Sequence, residues 1–174
     1  MIKTLTIRGG RPLSGHVRVA GAKNAASKMM IASLLTDEPV TLDNCPQIEE
    51  LSITAEICAA VGAKVERDGG RVTMHTPKIT NTVVKKLSRT NRISVLAIAP
   101  LLHRSGEAEV PRVGGDAIGP RPVDFHLDAL EQMGAIIEVT PTVYRATAPK
   151  ALRGTTIALP SHSLGAPASW ILVG

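Results

Sequence analysis

Val61-Gly62-Ala63-Lys64-Val65-Glu66 and, further along, Met133-Gly134-Ala135-Ile136-Ile137-Glu138 are two versions of one phrase. Each sets a glycine after the last apolar residue of a helical pattern and then begins an extended run, the signature of a capped helix feeding a strand. The match widens in both directions. Upstream, Ala32-Ser33-Leu34-Leu35 answers Ala99-Pro100-Leu101-Leu102, and downstream Pro77 answers Pro149. Around the first phrase the spacing predicts a helix from Lys23 with Ala25, Met29, Met30 and Leu34 at helical intervals, stopped by Thr36-Asp37-Glu38-Pro39. A short strand over Val40 to Leu42 follows, then a second helix from Ile48 to Val61. Strands over Lys64 to Glu66 and Val72 to His75 pair across the Asp68-Gly69-Gly70 turn. Around the second phrase the same order returns: a helix over Asn91 to Leu102, a strand over Glu107 to Val113, and a helix over Pro122 to Met133. Strands over Ile136 to Val139 and Val143 to Thr147 complete it. The chain is an internal duplication of an α-β-α-β-β unit, and the repeat decides the fold class, α/β with α+β character.

Outside the duplication, Ile2 to Ile7 and His16 to Ala20 alternate polar and apolar residues as strands do, with Gly9-Gly10 and Pro12 between them. A third copy opens at Thr155-Thr156-Ile157-Ala158-Leu159, and its first helix, Ala166 to Val173, runs to the last residue. The expected organisation is therefore N-terminal strands over 1–20, a first unit over 21–88, a second over 89–153 and the start of a third over 154–174. A unit interrupted inside its first helix leads us to expect a piece of a longer protein.

Composition narrows the function classes. Of 174 residues, 44% are hydrophobic but only 2% aromatic, so Ala, Val, Ile, Leu and Met must build the core. Phe125, Tyr144 and Trp170 are the aromatic residues, too few to serve as stacking platforms for single-stranded nucleic acid. The net charge of +5 comes from scattered Lys and Arg, compatible with small anionic ligands or with no charged partner. Cys45 and Cys58 lack metal-ligand spacing and read as small buried residues in a reduced compartment. The N-terminus lacks the apolar block of a signal peptide, and Val95 to Leu102, the longest apolar stretch, is too short to span a bilayer. A cytoplasmic protein without membrane contact is the expectation.

Three places can carry chemistry. Gly21-Ala22-Lys23-Asn24 stands where a strand meets a helix. Free amides, the positive end of the helix dipole and the Lys23 ammonium all favour an anion there. The same residues also suit an ordinary helix start with a solvated lysine. Gly114-Gly115-Asp116-Ala117-Ile118-Gly119-Pro120-Arg121-Pro122 combines mobile and rigid residues around one acid and one guanidinium. Such a loop can close as a lid, and desolvation in a closed site keeps a carboxylic acid protonated as a general acid. It can equally be a surface turn, with Asp116 solvated and Arg121 paired to Asp124. Arg92 heads an otherwise apolar helix, as a snorkelling side chain or an anion clamp. His126 and His162 lie in no metal-binding spacing.

In order, Gly21-Ala22-Lys23-Asn24-Ala25-Ala26, Arg92-Ile93-Ser94, the run from Gly114 through Val123-Asp124-Phe125-His126, and Leu130-Glu131-Gln132-Met133-Gly134-Ala135 span essentially the whole chain. Together they resemble the UDP-N-acetylglucosamine enolpyruvyl transferase family. The resemblance implies an inside-out α/β barrel with two domains of three repeated units, in which the N-terminal strands pack with the other domain. It implies transfer of the enolpyruvyl group of phosphoenolpyruvate to the 3-hydroxyl of UDP-N-acetylglucosamine with release of phosphate, the first committed step of peptidoglycan precursor synthesis. No metal or organic cofactor is implied. The missing C-terminal half of the enzyme is an implied partner, and nucleic acid and membrane are not. Lys23 and Asn24 would meet phosphoenolpyruvate, with Asp116 and Lys23 as the catalytic pair. Arg92 and Arg121 would hold anionic groups. Arg121, Pro122, Val123, Asp124 and Phe125 would line the uridine side, and Ser161, His162, Ser163 and Leu164 the diphosphate.

The chain departs from the family in three ways. The loop position most often held by Cys is Asp116, which can still protonate C3 but cannot form a thiol adduct, so resistance to fosfomycin is expected. Leu159-Pro160-Ser161-His162-Ser163 lacks the Lys often found at the Ser161 position. The acidic base and the arginines of the family's second half are absent, so turnover by this chain alone is not expected. Three rival readings remain. The sister transferase acting on shikimate 3-phosphate usually shows Lys-Ser where this chain has Lys23-Asn24. A non-catalytic fragment could bind a UDP-sugar or self-associate. A basic RNA-binding module is disfavoured by scattered charge and missing aromatics.

Overall fold

The first helix settles its own phase by packing. A computed structural model describes residues 4, 6–10, 12–85, 87–89, 92–112 and 123–158. Helix α1 (Lys23–Ala32) continues into a 3-10 turn, Ser33–Leu35, and together they bury Ala26, Ser27, Met30, Ile31, Ser33 and Leu34. Full burial of Met30, Ile31 and Leu34 contributes about 1.5–3 kcal/mol each. Ala25 and Met29, expected on that face, are exposed. The run Met29-Met30-Ile31 supports two helical phases, and contact with the next helix selects the second.

The first unit continues through β1 (Val40–Leu42), α2 (Glu49–Ala60), β2 (Lys64–Asp68) and β3 (Arg71–His75). The second begins with a 3-10 helix, Arg92–Ala97, and proceeds through α3 (Ile98–Ser105), β4 (Glu107–Pro111), α4 (Asp124–Gln132), β5 (Ile136–Val139) and β6 (Val143–Thr147). The single helix expected over Asn91 to Leu102 is thus two windings. Pro100 has no N–H to donate, and its ring crowds the carbonyl four residues back, so α-helix begins only at Ile98. Strand β4 ends at Pro111; Val113, its expected last residue, lies outside the described residues.

The two quoted phrases form the same helix stop. Gly62 turns the chain at φ +110°, its N–H donating to the Ala59 carbonyl at 3.1 Å while that of Ala63 reaches Cys58 at 3.0 Å. Gly134 does so at φ +100°, with Gly134 to Glu131 and Ala135 to Leu130 both at 2.9 Å. Both are Schellman caps, in which a left-handed glycine satisfies the last carbonyls and redirects the chain into a strand.

Each unit then builds an antiparallel three-stranded sheet, ordered β1-β3-β2 in the first and β4-β6-β5 in the second. Asp68 pairs with Arg71, leaving Gly69-Gly70 as the hairpin loop. Val83 lies alongside Glu109 in parallel, bonded by Val84 N–H to Glu109 O and Glu109 N–H to Thr82 O, both 2.8 Å. The connection between units thereby lengthens the second sheet past β4.

One core serves both units, from Ala26 and Met30 through Leu101, Val110 and Leu130 to Tyr144 and Ala146. Cys45 and Cys58 are buried in it as free thiols, and burial pushes the Cys58 thiol up to about 12. Arg104 fastens the units where α3 meets the end of α1. Its guanidinium donates to the carbonyls of Leu34 (3.0 Å), Thr36 (3.1 Å), Thr76 (2.8 Å) and Pro77 (3.1 Å).

The strand expected over His16 to Ala20 does not form. Val17 and Val19 are 88% and 80% exposed, and residues 12–20 join no sheet. Alternation prescribes which face of a strand is apolar; a ladder also needs a paired neighbour, and none of the described strands pairs with these residues. Among the described residues no helix is long and apolar enough to cross a membrane.

Candidate functional site

The start of α1 is fixed from behind by backbone. Asn44, at φ +57°, places its carbonyl where a Cβ on Gly21 would stand, so glycine is required at that approach. Ala22 then takes the N-cap position with no side chain to offer, and the first turn contains no acidic residue. Only the amide of Ala26 turns back, to Ala22 O at 3.0 Å. A helix start with uncapped amides and a lysine in its first turn is short of negative charge.

Glu50 answers that need from α2. Its carboxylate meets the Lys23 ammonium at 2.8 Å and accepts from the Ser27 hydroxyl at 3.2 Å. Ser27 also lies 3.2 Å from the Lys23 carbonyl. The side chains of Lys23 and Glu50 are 54% and 22% exposed, so the pair itself stabilises the fold by no more than about 1 kcal/mol. Its consequence is positional: the ammonium is held at the mouth of the helix. Asn24, next in line, is exposed.

Arg92 is exposed at the start of the second unit's 3-10 helix. Ser94, two residues on, donates to the Pro111 carbonyl at 3.1 Å, tying this helix to the end of β4. On the far side of residues 113–122 the chain re-enters at Val123, buried as the N-cap of α4. Asp124 is exposed in the first helical turn, favourable to the dipole, and Phe125 is half-buried. His126, 7% exposed, completes that turn. Burial first, and then the charges of Arg92 and Lys28, hold its pKa down at about 4. His126 is therefore neutral at pH 7, and the charges that act on it come from Arg92 of the 3-10 helix and Lys28 of α1.

Of the expected site residues, Lys23 and Asn24 begin α1, Arg92 begins the 3-10 helix that packs against α1, and Val123, Asp124 and Phe125 stand at the start of α4. Asp116, Arg121, Pro122, Ser161, His162, Ser163 and Leu164 lie outside the described residues. Glu50, Ser27 and Lys28 were not singled out from sequence. Glu50 reads there as a dipole-friendly residue in the first turn of α2, and only helix packing brings it to Lys23. A shallow cleft of about 220 Å³ lined by Gln47, Arg67 and Gly69 contains none of the candidates. No cluster of three or more metal-ligating side chains occurs among the described residues.

Residues 7–173 match the family described as EPSP synthase (3-phosphoshikimate 1-carboxyvinyltransferase). The UDP-N-acetylglucosamine 1-carboxyvinyltransferase of Acidiphilium cryptum is 45% identical over 169 residues, covering 97% of this chain and 40% of its own length. The protein of the same name from Protochlamydia amoebophila is 43% identical over 178 residues, covering 98% of this chain and 38% of its own. The chain thus spans about two fifths of the length of these curated relatives. Among solved structures, the enolpyruvyl transferase NikO from Streptomyces tendae superposes with a TM-score of 0.65 at 25% identity, over 83% of this chain and 32% of that one. EPSP synthase from Acinetobacter baumannii reaches 0.69 at 21% identity, over 92% and 38%, a likeness of fold. Two capped α-β-α-β-β units of one topology, an ordered match over nearly every residue and these relatives agree: the chain belongs to the EPSP synthase (3-phosphoshikimate 1-carboxyvinyltransferase) family of enolpyruvyl transferases and corresponds to part of the inside-out barrel fold.

Proposed function

We propose that this chain supplies part of the site at which an enolpyruvyl group passes from phosphoenolpyruvate to the 3-hydroxyl of UDP-N-acetylglucosamine, with release of phosphate, in the cytoplasm. The observation that carries the reading is the Lys23 ammonium held at the start of α1, with Arg92 at the start of the adjoining 3-10 helix, in a chain 45% identical to a relative named for this reaction. Protonation of C3 of phosphoenolpyruvate creates an oxocarbenium-like centre at C2, which the 3-hydroxyl oxygen attacks as it gives up its proton. Loss of phosphate from C2 with a proton from C3 then restores the enol. Fixed cations then hold the charge of the departing phosphate. In this scheme Lys23 and Arg92 do this, and Asn24 orients the reacting groups. Asp116 is the proposed acid. Arg121, Pro122, Val123, Asp124 and Phe125 form the uridine side, and Ser161, His162, Ser163 and Leu164 the diphosphate side. No metal or organic cofactor enters the scheme. The C-terminal half of the enzyme supplies the remaining charged groups, the resulting nucleotide sugar serves peptidoglycan synthesis, and Asp116 in place of a thiol confers resistance to fosfomycin.

The family's own description favours a second acceptor, shikimate 3-phosphate. Phosphate release on adding phosphoenolpyruvate with either acceptor separates the two, measured on the chain alone and joined to a relative's C-terminal portion. Release with the UDP-sugar only, abolished by Asp116→Asn, supports the proposal. Release with shikimate 3-phosphate only transfers it to the sister reaction, and silence of the joined chain with both removes it.

A further inference from the structure

We propose that Glu50, anchored by Ser27, is a positioning residue that presets the Lys23 ammonium for its anion. The inference deepens the proposed function and rests on it. Lysine is a flexible four-carbon stem ending in a point charge, and holding it in one place costs rotamer entropy. Glu50 offsets part of that cost in advance through one 2.8 Å contact. A carboxylate alone could swing with its lysine, but Ser27 denies it that freedom. Ser27 is fully buried one turn along α1, with its hydroxyl 3.2 Å from Glu50 and 3.2 Å from the Lys23 carbonyl. Its single proton is shared between these two acceptors, and the mount thereby joins side chain, neighbouring helix and the backbone of the lysine it serves.

Its charge arithmetic also suits an anion site. A lysine in the first turn of a helix opposes the dipole, and α1 has no acid of its own there. Glu50 neutralises the lysine while the site is empty. Its second oxygen contact, to Ser27, gives the carboxylate a partner to keep when an incoming phosphate or carboxylate takes a share of the ammonium. Glu50 sits in the first turn of α2, where its own charge is favourable, and Thr54 closes that turn by donating to the Glu50 carbonyl at 2.7 Å. Both ends of the mount are thus built into helices rather than loops.

The test follows the Lys23 side-chain ¹⁵Nζ resonance at low temperature in the 174-residue chain, with exposed Lys64 and Lys85 as internal references. Because a held ammonium exchanges slowly, the Lys23 signal should persist in the parent, broaden in Ser27→Ala and vanish in Glu50→Gln, with unchanged circular dichroism. Phosphoenolpyruvate should then shift the Lys23 signal, and Ser27→Ala should weaken that binding about fivefold, the worth of one hydrogen bond. A Lys23 signal indifferent to both substitutions overturns the mount and leaves the functional reading standing. A signal that responds to them but ignores phosphoenolpyruvate overturns the anion role of Lys23, and with it both proposals. Loss of folded structure in Ser27→Ala overturns the mount as well, since it assigns Ser27 to the core.

Discussion

The first and second units share a topology and a helix stop, yet they spend polar groups differently. In the first unit the buried position in the middle of the second helix is Thr54, whose hydroxyl donates to the Glu50 carbonyl. At the matching position the second unit has His126, a titratable ring among cations. Arg104 of the second unit grips the carbonyls at the end of α1 and β3, while Asp37, at the matching place in the first, is exposed. The outer edge of β4 carries residues 82–84, whereas β1 has only β3 beside it among the described residues. Repeated architecture therefore fixes where backbone goes, and the side chains at equivalent places divide the work of fastening the units and presenting charge.

The comparison breaks hardest at Arg104. Arg104→Ala strips four carbonyls of a charged donor and should cost about 3–4 kcal/mol in urea unfolding, against less than about 0.5 kcal/mol for exposed Asp37→Ala. Equal effects would deny the asymmetry.

The two capping glycines sharpen it next. Both have positive φ, but a Cβ on Gly62 would stand 2.5 Å from the Thr80 hydroxyl and 3.1 Å from the Lys78 carbonyl, while one on Gly134 meets nothing within 4 Å. Gly62→Ala should cost about 3 kcal/mol and Gly134→Ala about 1 kcal/mol by thermal melting. The difference measures crowding alone.

His126 separates the units by pH. Its folded pKa of about 4 lies below the unfolded 6.5, so the unfolded chain binds more protons between those values. Its contribution is complete above about pH 6.5 and is lost as pH falls toward 4. Relative to His126→Asn, the parent should lose about 2 kcal/mol across that window. Thr54→Val should show no such pH dependence, and a flat difference curve for His126 would place the ring in contact with solvent.

The smallest expected effect is at Thr76. Its buried hydroxyl finds no partner among the described residues, and the second unit has Ala148 at the corresponding place before its proline. Thr76→Val should change stability by no more than about 0.5 kcal/mol, or raise it, because an unsatisfied hydroxyl is removed. A loss above 1 kcal/mol would reveal a hydrogen bond that the fold keeps.

The sequence by itself determined the repeat, the order of helices and strands within the two units, both glycine stops and all four hairpin strands. These follow from local rules: a helix face returns every three to four residues, and only glycine readily takes the left-handed turn. It also marked Lys23, Asn24 and Arg92 as candidates, because charge at a helix start is visible in one dimension. Tertiary structure alone decided the rest. The phase of α1 was open until α2 covered Met30 and left Met29 exposed, since three consecutive apolar residues satisfy two phases. The strand expected at His16 to Ala20 pairs with no described strand, and alternation alone cannot supply a neighbour. Glu50 became the partner of Lys23, and Arg104 the clamp of the first unit, through contacts between residues far apart in the chain. Their side chains reach across helix packing, and no local pattern encodes which distant backbone or charge will be waiting there.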